Sequence, residues 1–298
     1  VRRDWVQNSN DSFWLSNPAI DWPELSPLIG WTDYPQSLRT RSGLYEIRQR
    51  LAGSDDVAPH AKVGIAELQA MLFRNRNHAA YLVLDEFLPV CRAAPTEAGR
   101  AGCAVLAAWD RRNNLDSRGE HVFREWWRAA GEIKGVWRRP FDAAQPATTP
   151  ADLATDDPRI RAELLQALVA TVRATGFALD APLGEVQSYT THHGKVGVHG
   201  GPQFEGVLNK VETFGTNTLE AGGYESNFGS SYIQTVTFDD HGPVAEAVMV
   251  YGQSSQPDSQ YSFDQLPLFD GKRWMRLPFH AEEVERQRVG EVLRLAID

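Results

Sequence analysis

The chain has 298 residues, with 30 Lys and Arg against 39 Asp and Glu, a formal charge of −9. A surface that tracks phosphate needs a basic excess, so nucleic acid is not expected as a partner. Hydrophobic residues make up 42%, ample for a core, yet no run of about 18 apolar residues occurs and no membrane span is expected.

Residues 1–41 read as a short strand through Trp5-Val6 and then a long, Pro-punctuated aromatic loop with Trp14, Trp22, Trp31 and Tyr34. Within it Gln7-Asn8-Ser9-Asn10-Asp11-Ser12 crowds amides, hydroxyls and a carboxylate between aromatic residues. Buried without partners, each amide or hydroxyl would cost about 1–3 kcal/mol, so such groups are either networked or aimed at a ligand. Composition by itself favours an Asx turn closed by Asn17-Pro18 over an amide presented to a reacting oxyanion.

Residues 42–175 are mainly helical. Leu44, Ile47 and Leu51 share a face, as do Leu68, Leu72 and Phe73, and Tyr81, Leu84, Leu88 and Cys91. Ser117-Arg118-Gly119-Glu120 has the form of a capping box ahead of Val122, Phe123, Trp126 and Trp127. A connector at 140–157, rich in Ala, Pro and Thr, precedes an amphipathic helix after Pro158 bearing Ile160, Leu164, Leu165, Leu168 and Val172. The only two cysteines, Cys91 and Cys103, flank the polar turn Pro95-Thr96-Glu97-Ala98-Gly99, which suits a helical hairpin. The residues alone leave open a disulfide staple or two small buried thiols.

Residues 176–298 are glycine-punctuated and alternating. Tyr232, Gln234, Val236 and Phe238, then Val244 to Tyr251, predict a β-hairpin joined by Asp239-Asp240-His241-Gly242-Pro243. A helical insertion flanked by strand-forming ends makes the fold class α+β.

The run Arg2-Arg3-Asp4-Trp5-Val6-Gln7-Asn8-Ser9-Asn10-Asp11-Ser12-Phe13-Trp14-Leu15-Ser16-Asn17-Pro18 resembles a signature of the β subunit in the penicillin acylase family, in the branch that holds acyl-homoserine-lactone and aculeacin-type acylases. Further matches follow in order: Trp109-Asp110 with Asn114-Leu115-Asp116-Ser117, Gly200-Gly201, Ser230-Ser231-Tyr232-Ile233-Gln234, Gln253-Ser254-Ser255 with Pro257, and Asp264-Gln265 before Leu277-Pro278-Phe279. Ordered matches over nearly the whole chain are far more specific than any one short motif.

The resemblance implies one part of a four-layer αββα sandwich of the N-terminal-nucleophile hydrolases, carrying a helical insertion. Residues 1–41 would form its active-site strand and loop, and 176–298 would return to the same sandwich. Such enzymes are cut from a precursor so that a Ser begins the β subunit. This chain, beginning at Val1, is expected to be the C-terminal portion of that subunit. The nucleophile would then lie outside it, on the N-terminal part of the β subunit, with the α subunit as a second partner. The family's catalytic Asn falls on Asn10, whose amide would donate to the oxyanion; its Arg falls on Arg39, with Arg41 as an alternative register. Asn8 and Asp11 would hold the loop. The nucleophile's own α-amine, with an unperturbed pKa of about 8, would serve as base. Export to the periplasm or outside the cell is usual in the family, which favours the Cys91–Cys103 disulfide.

No cofactor is implied, and the family's calcium ligands come mainly from parts of the molecule outside this chain. His192, His193 and His199 superficially resemble a metal cluster, but strand residues an odd number apart point to opposite faces and no acidic or Cys ligand stands near, so no metal is expected. Ser254-Ser255 with Asp258 lacks a nucleophile elbow and reads as a turn. Trp5, Phe13 and Trp14 bracket Asn10 and either line an apolar slot for an acyl chain or pack the loop. The function expected is removal of a fatty acyl chain from an amide nitrogen. N-acyl-homoserine lactones come first as substrates, cyclic lipopeptides of the aculeacin type second and penicillins third; the alternative of another class is a catalytically dead binding relative.

Overall fold

The computed structural model describes residues 3–20, 22–23, 25–213, 219 and 222–295; Arg2 of the signature run lies outside them. The chain divides into two compact units, Val1–Val63 with Ala70–Ser230, and Gly64–Gln69 with Ser231–Asp298. Helices and strands are both present, and the fold is α+β.

The first unit is built on helices α1 (Leu38–Ala52), α3 (His78–Arg92), α4 (Glu97–Ala108), α5 (Glu120–Ala130) and α6 (Pro158–Ala174), while α2 (Ile65–Phe73) is divided between the units. Their starts follow from capping chemistry. Ser37 accepts from the Thr40 N–H, Asn77 from Ala80, Thr96 from Gly99, and Asp157 from Arg159 with Pro158 in the first turn. The apolar faces then meet in one core, where Val83, Leu84, Phe87, Phe123, Trp126, Ile160, Leu164 and Leu168 are fully buried. Each such side chain contributes about 1.5–3 kcal/mol, and Phe87 stacks on Trp126 with centroids 4.2 Å apart. Gly102 permits the close crossing of α4 over α6, because a Cβ there would stand 2.7 Å from Val172 Cγ2. The hairpin of α3 and α4 is closed by a disulfide between Cys91 and Cys103, with Cα atoms 5.5 Å apart.

Among the described residues, strands gather in four small sheets. β1 (Trp137–Arg139) pairs antiparallel with β2 (Ala151–Leu153). After the single turn α7 (Leu183–Val186), β3 (Gln187–Thr191) lies between β4 (Gly194–Gly197) and β6 (Tyr224–Glu225), and β5 (Val211–Glu212) pairs with β7 (Phe228–Gly229). The second unit holds β8 (Tyr232–Asp239), β9 (Gly242–Met249) and β10 (Met275–Leu277) in the order β10-β9-β8, with the short helices α8 (Leu266–Asp270) and α9 (Ala281–Gln287). None of the described helices is long and apolar enough to cross a membrane.

Three expectations are corrected. Trp5-Val6 forms no strand, because the backbone there is taken by local partners: Asn17 Nδ2 donates to the Trp5 carbonyl at 2.9 Å, and the next residue, Gln7, donates its N–H to Ser16 O at 2.9 Å. The capping box is not made. Gly119, at φ 91°, is the residue before α5, and Ser117 Oγ donates instead to Asp110 Oδ2 at 3.1 Å. The β8–β9 hairpin forms, but its loop is only Asp240-His241: Asp239 pairs with Gly242, and Asp239 Oδ1 accepts both the His241 and Gly242 N–H groups. Its alternating apolar residues Tyr232, Val236 and Phe238 are exposed, whereas Thr235 and Val248 are buried. Gln69 donates to Thr235 Oγ1 at 3.1 Å and to Glu246 Oε2 at 2.7 Å on that covered face.

Candidate active site

The loop bearing Asn10 is closed at its base by Gln7, whose side-chain amide donates to Leu15 O at 2.9 Å. Inside it Asn8 acts as a clamp. Its Oδ1 accepts the Asn10 N–H at 2.7 Å and its Nδ2 donates to Asp11 O at 3.0 Å. This Asx turn holds Asn10 at φ 70°, a left-handed conformation that Asn tolerates better than most residues.

Asp11 fastens the loop to α1. Its Oδ2 accepts the Ser37 N–H at 3.0 Å, the Ser37 hydroxyl at 2.6 Å and the Thr40 hydroxyl. A carboxylate is well placed there, since the first N–H groups of a helix lack partners and the helix dipole favours negative charge. Arg39, in that first turn, donates from Nη1 to Asn10 Oδ1 at 3.0 Å and to Ser9 O at 3.4 Å. A guanidinium can only donate, so it selects the carbonyl side of the Asn10 amide. The Nδ2 donor is left without a protein partner among the described residues, on an exposed residue. Burial lowers the Arg39 pKa, opposed by Glu212 and Asp11, from so high a value that the cation persists.

Arg41 is two residues on, roughly 200° around the helix, and faces away. Its Nε donates to Ala147 O at 3.3 Å and its Nη1 to Pro150 O at 2.9 Å. The structure thus brings Arg39, and not Arg41, to Asn10.

The three aromatic residues go different ways. Phe13 meets Trp22 edge-on at 5.1 Å and lines a cavity of about 450 Å³ with Trp22 and Trp31. Trp14 lines another, of about 500 Å³, against residues 143–148. Trp5 is half-buried and held through its carbonyl. Asn10 lines neither cavity.

The histidines also separate. His192 and His193 occupy the turn between β3 and β4, with rings 4.0 Å apart. His199 is buried, its Nδ1 3.0 Å from the side-chain amide nitrogens of both Asn75 and Asn209. Ser254 Oγ accepts the Gln256 N–H at 3.1 Å in a turn after β9.

One polar centre escaped the sequence reading. Arg124 is buried with two buried carboxylates, its Nε 2.9 Å from Glu120 Oε1 and 3.1 Å from Glu205 Oε1, while Asn113 Nδ2 donates to both acids at 2.9 and 2.7 Å. Burial, resisted by Arg124 and reinforced by Glu205, raises the Glu120 carboxyl well above the ordinary range. The guanidinium also donates to Gln187 Oε1 at 2.9 Å and lies 4.4 Å over the Tyr224 ring. Asn113 adjoins the matched run that begins at Asn114, which was the one available signal.

Comparison with known proteins adds the family. The chain is 34% identical over 289 residues to an acyl-homoserine lactone acylase of Pseudomonas fluorescens, covering 96% of this chain and 36% of that protein. It is 33% identical over 306 residues to the aculeacin-A acylase of Actinoplanes utahensis, covering 99% of this chain and 37% of that protein. It therefore spans little more than a third of the length of these relatives. The fold aligns with a thermostable penicillin G acylase from Alcaligenes faecalis at a TM-score of 0.49 and 15% identity, over 98% of this chain and 56% of that one. With residues 1–286 matching the family model for penicillin amidase, the chain belongs to the penicillin amidase family.

Proposed function

We propose that this chain supplies the oxyanion-binding part of an N-terminal-nucleophile amide hydrolase that removes fatty acyl chains from amide nitrogens. The observation that carries the reading is the Arg39–Asn10 contact at 3.0 Å, which fixes the amide with its donor outward on a clamped loop. The nucleophilic Ser stands at the start of the β subunit, outside this chain, in a four-layer αββα sandwich completed by that segment and the α subunit. Its Oγ attacks the substrate carbonyl carbon while its α-amine accepts the hydroxyl proton through a water. The carbonyl oxygen becomes an oxyanion, to which Asn10 Nδ2 donates. Collapse breaks the C–N bond, the proton passes to the leaving amine, and water then hydrolyses the acyl-enzyme by the same route. Arg39 orients Asn10 and, as a nearby cation, biases the α-amine toward its neutral form.

N-acyl-homoserine lactones are the first substrate class, supported by the names of the relatives, with aculeacin-type lipopeptides second. The Cys91–Cys103 disulfide supports a periplasmic or secreted enzyme. Asn10→Ala should depress acyl transfer by about 10²–10³ in the processed enzyme, the loss expected for one oxyanion donor. Turnover within threefold of the parent would reject the assignment. N-terminal sequencing of every chain in the purified enzyme should find one that begins with Ser; a particle with no Ser, Thr or Cys at any chain start would be a binding relative instead.

A further inference from the structure

The face of α1 opposite Arg39 borders a cavity of about 520 Å³ shared with α3 and the β1–β2 region. Arg41 lies at its wall, only 2% exposed. Its two hydrogen bonds go to backbone carbonyls, and among the described residues no carboxylate pairs with it. Taking a guanidinium out of water without an anion is costly. The burial penalty and the like charge of Arg139 together hold its pKa down to about 10.

The other charges on the wall do not satisfy it. Asp152 is paired with Arg139 at 2.5 Å and Asp85 with Arg111 at 2.5 Å. Glu86 is half-buried on the same wall, where desolvation raises its carboxyl pKa, and its Oε2 makes no hydrogen bond among the described residues. Arg48 adds a cation at the rim. His78 adds a neutral donor: its Nδ1 accepts from Arg76 at 2.7 Å, so the ring proton sits on Nε2, and burial beside Arg76 and Arg41 keeps it uncharged. The rest of the wall carries the polar side chains of Gln49 and Thr148 beside an apolar part. Arg76 lies 4.3 Å from the Tyr45 ring centre and 3.9 Å from that of Tyr81, holding both rings beside Leu44 and Leu82.

We propose that this cavity binds a small organic carboxylate, with its head group on Arg41 and its apolar body against Tyr45, Tyr81, Leu44 and Leu82. A bare inorganic anion would use the first half of the site and leave the second unused.

Titration calorimetry of the whole processed enzyme with octanoate tests this, using the parent, R41M and R48M. Octanoate should bind the parent saturably, about tenfold or more weaker in R41M and a few-fold weaker in R48M, since a charge-assisted hydrogen bond is lost in the first and a rim charge in the second. Hexanoate should bind the parent more weakly by about fourfold per methylene removed. Octanoate bound only at the Asn10 loop would titrate equally in parent and both variants, and that result overturns the proposal. So does equal affinity for octanoate and acetate. R48M replaces an exposed side chain and decides the matter if R41M fails to fold. A crystal structure of the whole enzyme soaked in octanoate should place its carboxylate within hydrogen-bond distance of Arg41; a carboxylate side chain of the protein's own remaining segments in that place rejects the site.

Discussion

Asn10 is held in place by three separate contacts: Asn8 fixes its backbone, Arg39 fixes its amide, and Asp11 ties the loop to the helix that carries Arg39. Removing the amide and removing its orienting partner should therefore have different effects. Under the proposed function, in which the acyl chain carries most of the substrate binding and the amide acts on the transition state, Arg39→Met should lower kcat by about 10–100-fold, the worth of a charge-assisted hydrogen bond, with a smaller change in KM. Arg39→Lys should recover little, as an ammonium cannot reproduce the guanidinium's fixed geometry. Steady-state kinetics on processed protein check both, and a full-rate Arg39→Met enzyme would remove Arg39 from the site. At this scale the sequence was legible as chemistry but not as direction. The polar run announced a turn, and the family likeness picked Asn10 from two asparagines. Only the helix phase separates Arg39 from Arg41, and a single uncertain helix start shifts that phase by enough to exchange them.

Most helices of the first unit were legible from their apolar spacing, a local signal, though Glu97 to Gly99, read as turn, begin α4, and Leu51 and Tyr81 of the apolar faces are exposed. What failed was local reasoning where a distant residue intervened. Glu120 has the position of a capping acid, but it is drawn inward by Arg124, Asn113 and Glu205, so the helix starts on Gly119 instead. This network should show in the pH dependence of stability. The folded pKa of Glu120 is raised above its unfolded value, so the stability it contributes is full below the unfolded pKa and is lost as pH rises through the folded value. The parent's melting midpoint should accordingly fall on the alkaline side, and Glu120→Gln, neutral throughout, should flatten that fall; equal slopes would show that Glu120 titrates normally. Arg124→Met, which leaves both acids without their cation, should cost about 3–5 kcal/mol. The α3–α4 hairpin makes a second element-scale case. Its disulfide closes a short loop, so reduction should cost about 3 kcal/mol in the chain-entropy estimate, read as a drop in melting midpoint with reductant that a Cys91→Ala, Cys103→Ala protein no longer shows.

For the molecule as a whole, apolar surface is distributed in a way that a sequence period could not reveal. The alternation along β8 marks a strand correctly, yet period two says only that the residues share a face, and Phe238 on that face is 76% exposed. The same holds for the aromatic loop, where Leu28 is 97% and Trp31 71% exposed. Phe13, Trp22 and Trp31 nevertheless line one apolar cavity, and Phe13 is three residues from Asn10, the proposed oxyanion donor. An acyl chain entering that cavity would gain about 0.8 kcal/mol per buried methylene, or roughly fourfold in kcat/KM for each added carbon until the space is filled. Chains of about eight carbons or more should then outrun short ones, on the assumption of one such increment per carbon. Phe13→Ala should reduce the slope of that series more than the rate on the shortest member, because it removes apolar wall without touching Asn10. Measuring kcat/KM across homoserine lactones of increasing chain length, in the parent and in Phe13→Ala, settles the point. A flat profile or a maximum at the shortest chains would exclude the fatty-acyl reading and favour a penicillin-type substrate, whereas a rising profile unchanged by Phe13→Ala would place the acyl chain against other parts of the enzyme.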